Sequence, residues 1–291
     1  MRLEDERLSS NVEDRRGSSS GLPIGGRGMS IGAVVLALVA SYFLGIDPSV
    51  FLGGGGSQMS QAPVDSGPAP QPPQNDELGV FVSRVLASTE DTWGQVFSQG
   101  GKQYAPPKLV LFTGSYPTAC GMGNAASGPF YCPEDRKVYI DLRFYQLMRD
   151  RFHASGDFAQ AYVIAHEVGH HVQNLLGVMD QTQARRSRAS QEESNAISVR
   201  VELQADCLAG VWANRANRTK PILEPGDVEE AVTAATAIGD DTLQKQAQGH
   251  AVPDSFTHGT SAQRVRWFRT GFETGRFDAC NTFAARDSRD L

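Results

Sequence analysis

The sequence predicts an α+β fold, mostly helical with a small sheet, preceded by one transmembrane helix. Three observations predict it. Apolar residues recur at helical spacing in several segments of the second half, and two short runs, residues 108–113 and 137–141, carry strand-forming residues between turn signals. Residues 29–46 form an uncharged apolar run. With 291 residues, 40% hydrophobic content and a net charge of −6, the chain can hold one substantial globular domain plus appendages. The mild acidity gives no support to nucleic-acid binding.

Taken in order, residues 1–28 are polar, mix arginines with acids and are expected to form a separate N-terminal segment. Residues 29–46 approach the length that crosses a bilayer. The polar stretch before them, and the lack of a lipidation cysteine after them, favour an uncleaved signal anchor over a cleaved signal peptide, with a buried core helix as the remaining alternative. Arg15, Arg16 and Arg27 precede the run and Asp47 follows it, so the N-terminus is expected in the cytoplasm. The rest is then expected outside, in the periplasm of a Gram-negative cell. Residues 47–75 open on four glycines from Gly53 and carry Pro63, Pro68, Pro70, Pro72 and Pro73, a composition that cannot fold alone and reads as a flexible tether.

The globular domain is expected over residues 76–291. Leu78, Val82, Val85, Leu86, Thr89 and Trp93 mark an amphipathic helix that starts near Asp76. The two strands follow, separated by turn signals at Gly114, Pro117, Gly121 and Gly128. Phe158, Ala161, Tyr162, Ala165, Val168, Val172, Leu175 and Leu176 predict a helix over about 157–176, with Asp157 as N-cap and Gly177 as the stop. Residues 198–212 read as a second long helix, and further helices are expected from Asp227 and from Ser261.

The 157–176 helix contains the pentad His166-Glu167-Val168-Gly169-His170. Two histidines four apart share one helical face and can grip a zinc ion, while the glutamate between them can reach a metal-bound water. That is the chemistry of a zinc hydrolase, with His166 and His170 as ligands and Glu167 as general base. The plainer alternative is a core helix with two buried, hydrogen-bonded histidines. Gly169 leaves room beside the metal face, and His171, turned about 100° from His170, reads as a polar neighbour.

Catalytic zinc usually takes three protein ligands. Glu202 and Asp206 stand four apart among small and apolar residues, where carboxylates are costly unless coordinated or hydrogen-bonded. Glu202 is assigned as the third ligand and Asp206 as the acceptor from the outer ring N–H of a ligand histidine. The reversed roles, or a histidine ligand from His250 or His258, are the alternatives. Gln173 and Leu176 occupy the places where the Gly and last His of H-E-x-x-H-x-x-G-x-x-H would fall. With no G-x-S-x-G elbow and no active-site cysteine signature, covalent catalysis is disfavoured.

The stretch from Ala161 to Asn174, the segment Glu202-Leu203-Gln204-Ala205-Asp206-Cys207 and the early Ser9-Ser10-Asn11-Val12-Glu13-Asp14-Arg15-Arg16-Gly17 together resemble the bacterial putative neutral zinc metallopeptidases. The resemblance covers nearly the whole chain. It implies a membrane-anchored peptidase with a zincin-like domain, acting on a protein or peptide substrate. More remotely, the Glu202 to Asp206 spacing and the segment from Thr257 to Arg264 are similar to the membrane CAAX-protease and heat-shock protease group, which has Pro where this chain has Gly259. His258 is the candidate group facing the developing oxyanion, with a structural histidine or a helix cap as the alternative.

The stretch from Val138 to Asp141 is the candidate edge strand to hold a substrate by strand addition, with a plain structural strand as the alternative. Cys120 with Cys132 and Cys207 with Cys280 are the expected disulfides, in keeping with export, with four reduced, buried cysteines in a cytoplasmic domain as the alternative. Two other functions stay open at this level: hydrolysis of a non-protein amide such as a cell-wall bond, and a non-catalytic binding protein that keeps zinc for stability. Oligomeric state and specificity have no sequence signal.

Overall fold

Alternation along two short runs builds the main sheet of the computed structural model, which describes residues 1–17, 69–125, 128–285 and 291. Strands β2 (Lys108–Leu111) and β6 (Lys137–Ile140) pair in parallel, with Leu109 opposite Val138 and Leu111 opposite Ile140. These four side chains join the principal core, while Val110 and Tyr139 turn to the other face, as a two-residue period requires. Strand β1 (Val12–Asp14) adds in parallel to β2 at one edge, and β5 (Phe130–Cys132) adds antiparallel to β6 at the other. The second face is covered by a hairpin of β3 (Ser115–Thr118) and β4 (Gly121–Asn124), which the turn signals alone did not announce. Phe130 stacks on Tyr139 with ring centroids 5.0 Å apart, and the Cys120–Cys132 disulfide ties the hairpin to β5.

Val138 to Ile140 is therefore an interior strand. Its backbone is paired on both sides, so the expectation that it holds substrate as an edge is corrected; on that side of the sheet the edge is β5.

Helix α1 (Glu77–Gln99) starts where expected, with the Asp76 carboxylate accepting from the Gly79 N–H. Helices α2 (Arg143–Phe152), α3 (Asp157–Leu175), α4 (Val178–Arg186), α5 (Gln191–Thr219), α6 (Asp227–Ala237), α7 (Asp240–Gln248) and α8 (Ser261–Thr274) follow. Asp157 and Asp227 prove to be first-turn residues, with Gly156 and Gly226 at the N-caps. At α3 the cap comes from a distant residue, since Glu230 accepts from the Phe158 N–H at 3.1 Å. A Cβ at 156 would lie 1.8 Å from the Glu230 carboxyl carbon, so any larger residue there would displace this capping side chain. Helix α5 begins seven residues earlier than its apolar pattern suggested, at a Ser190/Glu193 capping box.

Close helix approach sets the geometry of the centre. A Cβ on Gly210 of α5 would lie 2.1 Å from the Phe268 carbonyl oxygen, and one on Gly271 of α8 would lie 1.9 Å from that of Cys207. The two glycines let α5 and α8 cross backbone to backbone, and the Cys207–Cys280 disulfide fastens the crossing. Gly169 likewise faces Ala205 of α5, with its missing Cβ position only 3.0 Å from the Ala205 oxygen. The space at Gly169 is thus taken by a helix.

Residues 1–17 belong to the same compact unit as residues 69–291, which corrects their assignment to a separate segment. The Asn11 carbonyl accepts from the Leu109 N–H at 2.9 Å, the Pro70 carbonyl accepts from the Asp14 N–H at 2.8 Å, and buried Glu90 accepts from Ser9 Oγ, Asn11 Nδ2 and Arg7. The domain boundary moves from 76 to 69 for the same reason. Among the described residues no helix is long and apolar enough to cross a membrane. The expected span, residues 29–46, lies outside the described residues.

Candidate metal centre

Helix α3 presents His166, Glu167 and His170 at the heart of the fold, each less than a tenth exposed. The Nε2 atoms of the two histidines face the Glu202 carboxylate on α5, 3.2 Å from Oε2 for His166 and 3.5 Å from Oε1 for His170. The three ligand atoms lie within 4.8 Å of one another. Ligands held tetrahedrally at zinc distances of about 2.0–2.1 Å stand roughly 3.3 Å apart, so the spacing fits. Two nitrogens and one carboxylate oxygen are also a donor set that catalytic zinc takes. The residues present fit the ion.

Each ring is aimed from behind. His166 Nδ1 donates to Asp206 Oδ1 at 2.8 Å, and Asp206, wholly buried, also accepts from Tyr162 Oη at 2.5 Å and from Arg264 Nε and Nη2, both at 2.9 Å. His170 Nδ1 stands 2.8 Å from Gln173 Oε1. The Gln173 amide nitrogen donates to the Val201 carbonyl at 2.8 Å, which turns its oxygen towards His170 and makes His170 Nδ1 the donor. Both histidines therefore keep the Nε2 lone pair on the side that faces Glu202.

The electrostatics favour a cation. Burial opposes charge on His166, yet Asp206 and Glu202 outweigh it and raise the imidazole to about 10. Burial would also push Glu202 and Asp206 up, but the imidazoles hold Glu202 well below the usual range, and Arg264 with His166 brings Asp206 to about 2. Glu167 differs. Burial raises its carboxyl, and its oxygens take no hydrogen bond from the described residues.

His171 points away from the cluster. Its Nε2 donates to the Ala105 carbonyl at 2.7 Å and its Nδ1 accepts from Tyr131 Oη at 3.0 Å, while burial lowers it to about 4. His258 stands on the loop before α8 with its side chain 48% exposed, its Nδ1 3.3 Å from Asp240 Oδ1. Asp240 Oδ2 also accepts from the backbone N–H groups of Thr257, His258 and Gly259, so one buried carboxylate fixes the loop. His258 is not the cap of α8; Thr260 is, in a capping box with Gln263. His250 lies elsewhere, exposed at the end of α7.

Sequence reasoning named His166, Glu167, His170, Glu202 and Asp206, which the fold brings together. It missed Tyr162, Gln173, Asp240 and Arg264. Tyr162 and Gln173 carried a faint signal, one turn before His166 and three residues after His170 on the same helix.

The chain matches the family model described as "Putative neutral zinc metallopeptidase" over residues 1–283. It is 50% identical to Uncharacterized protein YpfJ of Escherichia coli K12, across 97% of this chain and 99% of that protein. It is 39% identical to Uncharacterized protein Rv2575 of Mycobacterium tuberculosis H37Rv and to Uncharacterized protein Mb2605 of Mycobacterium bovis, in both cases across 84% of this chain and 85% of the relative. No solved structure matches.

Proposed function

This chain belongs to the family of putative neutral zinc metallopeptidases, and from that membership we propose that it is a zinc-dependent endopeptidase with Glu167 as general base. The observation that carries the reading is the convergence of His166, His170 and Glu202 beside a glutamate carboxylate that takes no hydrogen bond from the described residues. Zinc bound there would polarise the scissile carbonyl and bring the pKa of a water towards about 7. Glu167 then takes the proton from the attacking water and passes it to the leaving amine. His258, positioned through Asp240, is proposed to face the developing oxyanion.

An extended peptide is the proposed substrate, added as a strand to β5. That edge lies against the metal helix, because Tyr131 of β5 accepts a hydrogen bond from Asn174 of α3 at 2.9 Å as well as meeting His171. The two disulfides support an oxidising compartment outside the cytoplasm, and the apolar run 29–46 supports attachment to a membrane. Residues 1–17 share the sheet and are proposed to lie on that same side.

The test is cleavage of an unfolded reporter protein by the purified full chain. Expected are activity that a chelator removes and zinc restores, and a Glu167→Gln variant that keeps its zinc but is slowed by about 10²-fold or more. A Glu167→Gln variant of full activity would overturn the mechanism. Zinc-dependent release of peptidoglycan fragments, with no peptide cleavage, would move the substrate to a cell-wall amide.

A further inference from the structure

A second charged feature lies apart from the metal centre. Helix α4 and the first half of α5 border a groove of about 630 Å3, lined by Arg185, Arg188, Glu193, Ile197, Arg200 and Phe283 among others. Arg200 is fixed there by donating through Nη1 to the carbonyls of Thr282 at 2.6 Å and Ala285 at 2.9 Å. Among the described residues, Arg185, Arg188 and Arg200 have no carboxylate partner. The acid in the groove, Glu193, is already engaged, since it accepts from the Ser190 N–H at 3.0 Å and hydroxyl at 3.2 Å in the cap of α5.

Three guanidiniums without a carboxylate partner among the described residues stand around one concavity that holds a single lining carboxylate, Glu193, so the groove carries local positive charge in a chain of net charge −6. Guanidinium forks match carboxylates in a bidentate manner, and Ile197 and Phe283 give the groove apolar walls for the stem of a side chain. A nucleic acid or an anionic bilayer would contact a wide area of a chain whose net charge is −6, whereas a short acidic peptide needs only the groove. Arg200 precedes Glu202 on α5 by two residues, about 3 Å of axial rise, so the groove lies roughly one helix diameter from the metal centre.

We propose that this groove binds acidic peptide segments. Its use as an exosite, which holds an acidic stretch of a substrate while another stretch is cut, rests on the peptidase reading; the binding itself does not.

Fluorescence polarisation of a labelled Glu- and Leu-containing peptide on the full-length Glu167→Gln variant tests the binding without cleavage. Reversal of the two exposed arginines, R185E/R188E, is expected to weaken binding by about tenfold or more at about 150 mM salt, and Arg200→Gln to weaken it as well. The same peptide with Gln for Glu is expected not to bind. Reversal of exposed Arg266 and Arg269 on α8, which changes the net charge equally, is expected to leave affinity within about twofold. Equal losses from both reversals would overturn the proposal, as would binding of RNA or anionic vesicles that depends on Arg185 and Arg188 as strongly as peptide binding does. A missing peptide interaction in a zinc-replete, active wild type would sink the groove and leave the metal reading intact.

Discussion

His166 and His170 sit one turn apart on one helix and face one carboxylate, yet they are held by opposite means. His166 is aimed by a buried charged network of Asp206, Arg264 and Tyr162, drawn from three helices. His170 is aimed by a neutral amide, Gln173, on its own helix. The difference teaches how charge is balanced at the centre. Asp206 is cancelled by Arg264 behind His166, which leaves Glu202 as the carboxylate whose charge faces both imidazoles, with Glu167 proposed as the base. A second outer carboxylate behind His170 would add uncompensated negative charge to a buried site, at a desolvation cost the neutral amide avoids.

The comparison breaks most sharply at its charged half. Asp206→Ala leaves Arg264 buried and unpaired, and Arg264→Met leaves Asp206 so; each is expected to cost about 3–5 kcal/mol in urea unfolding. The double variant D206A/R264M should cost less than the sum of the two single changes. Strict additivity would mean that the network is not a unit.

His171 offers the next test, because it is neutral by burial where His166 is drawn towards charge. With its folded value at about 4 and an unfolded value near 6.5, the unfolded chain binds the proton first as pH falls. The stability is complete above about 6.5 and lost progressively towards 4, with about 2 kcal/mol gone by pH 5. Unfolding curves at pH 7 and pH 5 should show this loss in the wild type and a smaller one in His171→Gln. Equal losses would show that His171 titrates freely.

Gln173→Ala is the mildest change, expected to cost about 1–2 kcal/mol in stability and to weaken zinc binding by about 10- to 100-fold. A larger cost than that of Asp206→Ala would invert the comparison.

Sequence made one half of this centre more legible than the other, for physical reasons. The pentad and the Glu202 to Asp206 spacing are local patterns, legible because four residues close a helical turn. Arg264 reaches Asp206 across a helix crossing set by Gly210 and Gly271, and no local period records that two distant glycines meet. Asp240 is similar, its role depending on a loop 17 to 19 residues away. The strand formed by Val12, Glu13 and Asp14 escaped because three residues, two of them acidic, show no alternation, and a parallel partner near residue 109 leaves no hairpin signal. The edge was misplaced because the 137–140 pattern is equally that of an interior strand, and β5 is short and Cys-ended.

The ligand set is tested most directly by zinc titration of Glu202→Ala against the wild type, with folding checked by circular dichroism. The expected result is one zinc per wild-type chain and a variant that folds but binds zinc at least about 100-fold more weakly. A folded Glu202→Ala protein that stays zinc-replete would contradict the assignment and send the search for the third ligand elsewhere.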